Sequence, residues 1–201
     1  MSLQNLNYPL QFKFKITTLS SDFTITDNHG NNVAYVREKL FRLKEDVIVY
    51  NDTSKSQKLF QIKANQWLDF NASYSLKNLI SDQNYGRVSR RGIKSIWRAS
   101  YEIKDQNDIT KFTITEDSAL VKFLDNIFSG IPIIGYFSGY ILNPTYSVKD
   151  ASEKTIFQLK KQPSFFGRKF QLNQMVDINN EEETLIILSL LMMVLLERDN
   201  G

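Results

Sequence analysis

Cysteine is absent from this chain of 201 residues, and histidine occurs once. The two shortages exclude disulfides, thiolate zinc sites, cysteine nucleophiles and any metal or haem centre that needs two histidines. A Ser-His-Asp triad would have only His29, which sits in the turn-like stretch Asp27-Asn28-His29-Gly30 and reads as structural. No Gly-rich phosphate loop is present, and Phe137-Ser138-Gly139-Tyr140 lacks the spacing of a nucleophile elbow. Residues 1–9 carry neither a basic segment nor an apolar core, so no signal peptide is expected. Without an export signal or cysteine, the expected compartment is the cytoplasm. A strong excess of one charge is missing too. Lys+Arg 25 against Asp+Glu 22 leaves +3, which selects no partner by itself. The expectation is a single non-enzymatic domain without cofactor or metal, long enough to bury roughly 70% of its unfolded surface.

A membrane-spanning run is also missing, although the C-terminus comes near to one. From Leu185 to Leu196 every residue is apolar except Ser189. Twelve helical residues span about 18 Å, whereas a bilayer core needs about 30 Å. Glu181, Glu182 and Glu183 on one side and Glu197-Arg198-Asp199 on the other prevent its extension, while suiting the two poles of a helix dipole. The reading is a helix at about 181–198, buried inside protein on all faces, with Asn180 as N-cap and Glu183 completing a capping box.

What precedes it reads as β. Leu10-Gln11-Phe12-Lys13-Phe14-Lys15-Ile16 alternates apolar and polar residues with the period of a half-buried strand. Twelve such segments are expected, near residues 10–17, 22–26, 32–37, 46–51, 57–63, 72–77, 84–90, 95–104, 108–115, 144–149, 155–160 and 168–174. A degenerate repeat joins them in pairs: strand, Asp-led turn, strand, with the turns at Asp27, Asp52, Asp105 and Asp150 and a weaker copy at Ser81-Asp82. Aspartate closes an Asx turn there, and Gly or Asn is expected to supply positive φ. No loop has the alternating oxygen ligands of an EF-hand. Hairpins that end in one all-apolar helix need an apolar coat for it. A mainly β fold, about twelve antiparallel strands closed into a barrel around a buried hydrophobic C-terminal helix, provides that coat and removes every sheet edge.

Several segments carry a resemblance beyond this physics: Lys39-Leu40-Phe41-Arg42-Leu43, residues 59–64, residues 131–140, Asn143-Pro144-Thr145-Tyr146, residues 162–166 and residues 190–198. With the repeated Asp-led hairpins and the terminal apolar helix, they resemble the tubby C-terminal-like superfamily, which includes LURP-one-related proteins and phospholipid scramblases, and more closely a bacterial branch of it. The resemblance implies a twelve-stranded barrel around the C-terminal helix and an association with phosphoinositide or phospholipid binding. Scramblases carry acylated cysteines and an acidic calcium-binding segment, and this chain has neither, so the resemblance does not extend to calcium-triggered scrambling.

The main charge feature is residues 87–98, where Arg87, Arg90, Arg91, Lys94 and Arg98 occur without an acid. On a strand with Trp97 in the core, Lys94 and Arg98 share the outer face. This strip is either a solvated face balanced by neighbouring acids or a site for lipid headgroup phosphates, worth around 1 kcal/mol per cation. A second cluster places Lys160, Lys161, Arg168 and Lys169 around Phe165 and Phe166, aromatics that either cover the core or insert at a membrane interface. Residues 117–142 interrupt the hairpins with an amphipathic helix pattern and an apolar, glycine-rich stretch containing Ile133, Tyr136 and Phe137. That insertion is either a lid on the barrel or a membrane- or partner-docking element. Peripheral binding of acidic phospholipid headgroups, at the inner face of the membrane, is the expected function. The alternative is a protein-interaction or stress-response module docking through residues 117–142. A net charge of only +3 argues against nucleic acid.

Overall fold

In the computed structural model, twelve antiparallel strands close into one barrel and a single helix follows them. The structure describes residue 3 and residues 5–16, 20–39, 46–66, 72–91, 100–117, 144–164 and 168–198. The strands are β1 Leu10–Ile16, β2 Ser20–Thr26, β3 Asn32–Lys39, β4 Asp46–Tyr50, β5 Lys58–Gln66, β6 Ser73–Asn78, β7 Asn84–Arg90, β8 Ser100–Lys104, β9 Thr110–Asp117, β10 Thr145–Asp150, β11 Thr155–Gln162 and β12 Arg168–Gln174, and the helix is α1 Asn180–Arg198. Each strand pairs with its neighbours in sequence. The first and last pair with each other, Leu10 opposite Leu172 and Phe14 opposite Arg168. The strand expected at 95–104 is β8 from Ser100 onward, and residues 92–99 lie outside the described residues.

Alternation sorts the side chains. In β1, Leu10, Phe12 and Phe14 are buried while Lys13 and Lys15 are exposed. Facing strands repeat this, and the inward residues form one core with α1, where every residue from Leu185 to Leu195 is buried. Ser189, the lone polar residue of the run, is satisfied within the helix by donating to the Leu185 carbonyl at 2.7 Å. An all-apolar helix surrounded by a closed sheet removes its apolar surface from water on every side, at about 1.5–3 kcal/mol per large side chain. Among the described residues no helix is long and apolar enough to cross a membrane.

The N-cap differs from expectation by one residue. Asn179, not Asn180, accepts from the Glu182 amide at 2.9 Å, and Glu182 returns an acceptor to the Asn179 side chain at 2.8 Å. Glu183 is thereby turned inward, where it is buried and accepts from the Tyr8 hydroxyl at 2.8 Å. The N-terminal segment covers this mouth of the barrel. Leu3 is buried and Leu6 and Tyr8 pack against the core.

The described turns all lie at this same end, because alternate connections of an up-and-down barrel share an end. Asp27 Oδ1 accepts from the amides of His29 at 3.0 Å and Asn31 at 2.8 Å. Asp105 serves Asn107 and Ile109, Asp150 serves Ser152 and Lys154, and Asp52 serves Ser54. Three residues after each aspartate comes the positive-φ position: Gly30, Lys55, Asp108 or Glu153. Only the first is the Gly or Asn that the repeat predicts. The others hold a left-handed conformation because the Asx bonds and the adjoining strands fix the turn. In the weaker copy the cap is Asn78, which accepts from Ile80 and Ser81, and Asp82 takes positive φ.

Candidate anion-binding surface

The barrel has an Asp-turn end and an opposite, far end. Asp27, Asp52, Asp105, Asp108, Asp150 and Glu153 lie in the turns of the first, together with Asp177 and Glu181 to Glu183 at the start of α1. Hydrogen bonds hold the carboxyls of Asp27, Asp52 and Asp150 below the usual carboxylate range, chiefly those from the side chains of Asn31, Ser54 and Ser152. Burial pushes Glu183 the other way, with Asp177 adding repulsion against the bond from Tyr8. A pocket of about 180 Å³ opens at this end between the β6–β7 and β8–β9 turns and the start of α1, lined by Asp105, Glu181 and Glu182 with Lys111 and several amides.

The predicted cations separate into three groups. On the wall made by β7, β8 and β9 they are neutralised. Arg87 Nη2 meets Asp108 at 2.5 Å, and its Nε is buried without a hydrogen-bond partner. Arg91 places Nε and Nη2 on one oxygen of Glu102, each at 2.8 Å. Lys104 reaches Glu102 and Lys111 reaches Asp105, both at 3.8 Å. The acids come from the neighbouring strands and turn, so for Arg87 and Arg91 the balanced solvated face is what the barrel builds.

A second group faces inward near the far end. Arg90 shares its side of β7 with buried Val88, and Lys161 shares its side of β11 with buried Phe157 and Leu159. Arg168 stands opposite buried Phe14. Burial lowers the Lys161 ammonium pKa, and the Arg168 charge adds to that. These three are half-buried and do not belong to an outer strip.

The third group is exposed. Lys160 and Lys169 point outward from β11 and β12. Closure of the barrel adds two lysines that sequence reasoning did not assign to any site: Lys13 lies directly opposite Lys169, and Lys15 follows on the same outer side of β1. The Phe12-Lys13-Phe14-Lys15 alternation signalled that both face outward, but only the β1–β12 pairing puts them beside the cluster from the other end of the chain.

Lys94 and Arg98, expected to lead the first strip, lie outside the described residues, as do Phe165, Phe166 and the insertion residues Ile133, Tyr136 and Phe137. His29 is exposed at a hairpin tip, as expected, with its amide bonded to Asp27. Among the described residues no group of three or more His, Asp or Glu side chains is placed to hold a metal ion. No protein-family model, curated protein or solved structure matches the chain.

Proposed function

We propose that this barrel is a non-enzymatic, peripheral binder of acidic phospholipid headgroups, acting at the cytoplasmic face of a membrane and related to the tubby-like proteins its sequence resembles. One observation supports this most: exposed cations are concentrated, without carboxylates among them, on one side of the barrel. Carboxylates crowd the Asp-turn end, interspersed with Lys55, Lys58, Lys111 and Lys154, while Lys13, Lys15, Lys160 and Lys169 stand exposed on the outer side of β1, β11 and β12. A barrel with its charge separated in this way orients in the field of an anionic surface, with its lysine-bearing side toward it. Four to six cations at around 1 kcal/mol each give a dissociation constant of roughly 1 mM to 50 μM, a reversible association.

Co-sedimentation with phosphatidylcholine vesicles, with and without 30% phosphatidylglycerol, at about 50 and 200 mM salt tests it. Binding should require the anionic lipid and weaken at the higher salt. Failure to bind anionic vesicles at about 50 mM salt rejects the proposal.

A further inference from the structure

The three strands β11, β12 and β1 are adjacent in the closed sheet and contain no acidic residue. Their outward side chains are lysines and amides: Lys160 from β11, Lys169 from β12, and Lys13 and Lys15 from β1, separated by glutamines. Register packs the charges together. Lys13 is directly opposite Lys169, so their Cβ atoms are about 5 Å apart. Lys160 lies one diagonal step from Lys169, since Gln171 is its direct partner, and Lys15 is one step along β1. None of the four forms an ion pair with a described residue.

The acids that border this patch are already engaged. Asp22, opposite Lys15 on β2, accepts from the Tyr35 hydroxyl at 2.8 Å and lies 3.8 Å from Arg37. Asp117 lies beyond β10 and accepts from Ser147. Like charges directly opposed across an antiparallel pair cost stability. The other wall shows that this chain can supply carboxylates to its cations. A patch of four amines whose one directly opposed carboxylate, Asp22, already serves Tyr35 and Arg37 is complementary to a surface of closely spaced negative headgroups, which supplies the missing counter-charge.

We infer that the β11–β12–β1 wall is the face this protein lays on an anionic membrane, with Lys13, Lys15, Lys160 and Lys169 as the headgroup contacts. This rests on the membrane reading above, but it moves the contact away from the Arg87–Arg98 strip and adds two residues from the first strand.

The test measures binding to vesicles with 30% phosphatidylglycerol for the wild type and two double reversals. In the first, Lys13→Glu with Lys169→Glu exchanges one like-charged pair for another, so the melting temperature should stay within about 3 °C. In the second, Lys55→Glu with Lys58→Glu makes the same change of net charge at the Asp-turn end. The expected result is a loss of about 30-fold or more for the wall variant and less than about threefold for the turn-end variant. Equal binding by the wall variant and the wild type overturns the choice of wall while leaving membrane binding intact. Equal losses in both variants overturn it too, since only net charge would then matter. A wild type that ignores these vesicles overturns the wall together with the membrane reading.

Discussion

The β7–β9 wall and the β11–β12–β1 wall are built from the same alternation of apolar and polar residues, yet they treat their cations in opposite ways. On the first, Arg87, Arg91, Lys104 and Lys111 each meet a carboxylate. On the second, Lys13 faces Lys169 and no strand of the wall carries an acid. Among the described residues, the one carboxylate directly opposite a wall lysine, Asp22 across from Lys15, is bonded to Tyr35 and lies 3.8 Å from Arg37. A density of basic residues in the sequence is therefore a poor guide to surface potential. What counts is whether the neighbouring strands and turns carry acids in register, and closure of the barrel decides which strands are neighbours.

The strongest disturbance of this contrast is a break in the neutralised wall itself. Gly86 begins that wall with φ +133°, and a Cβ built there would lie 2.1 Å from the Lys104 carbonyl oxygen, a backbone atom that cannot swing away. Gly86→Ala should cost about 3 kcal/mol or more in urea unfolding, through steric overlap and backbone strain together. Gly30 has φ +83° but open space where its Cβ would be. Gly30→Ala should cost only about 1 kcal/mol, the backbone preference alone. Equal costs would mean that the close approach of β7 to β8 contributes nothing.

Acid distinguishes turns capped by an aspartate from the one capped by Asn78. Asp27, Asp52 and Asp150 have carboxyls held below their usual range in the folded protein. The stability they provide is present above the ordinary Asp range and is lost as pH falls through their lowered folded values. The β6–β7 turn beside the neutralised wall uses the Asn78 amide instead, which does not titrate. Amide exchange at Ser152 and Lys154, next to the lysine wall, should therefore accelerate below about pH 4, while Ile80 and Ser81 keep their protection relative to global unfolding. Glu183 works with the opposite sign. Its raised folded pKa means the native state takes up a proton first, so its contribution grows as pH falls toward the ordinary Glu range. Glu183→Gln should raise the melting temperature at neutral pH and remove that rise in mild acid. An unchanged pH profile would show that the Glu183 carboxyl does not titrate differently in the two states.

The architecture was legible because two periods carry it. Alternation in Leu10–Ile16 and its counterparts marks strands, and the all-apolar Leu185–Leu196 run is too short for a bilayer and too apolar for a surface. The far-end site was legible only in part. Lys160 and Lys169 stood out as a local cluster, but Lys13 and Lys15 joined them through a pairing between the first and twelfth strands, a contact across nearly the whole chain that no local pattern encodes. Arg87 and Arg91 misled for the same reason. Their partners Asp108 and Glu102 follow them in sequence, yet only the β7–β8 and β8–β9 hairpins bring the charges within reach. In the sequence Lys161 and Arg168 form one basic cluster with Lys160 and Lys169, but strand parity sends them to the inner side.

The smallest effect tests the contrast most directly, because it predicts opposite signs on the two walls. Lys13→Glu places an opposite charge across from Lys169 and should raise stability by about 0.5 kcal/mol. Asp108→Asn keeps a residue that tolerates the positive φ of that position but removes the charge facing Arg87, and should lower stability by a similar amount, about 0.5 kcal/mol. Both pairs are solvent-facing, so raising salt from about 50 mM to 1 M should shrink both differences. The signs follow from pairing: one substitution creates an ion pair where none exists, and the other destroys one that does. If Lys13→Glu destabilised the barrel, Lys13 would have to find its counter-charge within the chain, and its lysines would no longer need an external anion to be balanced.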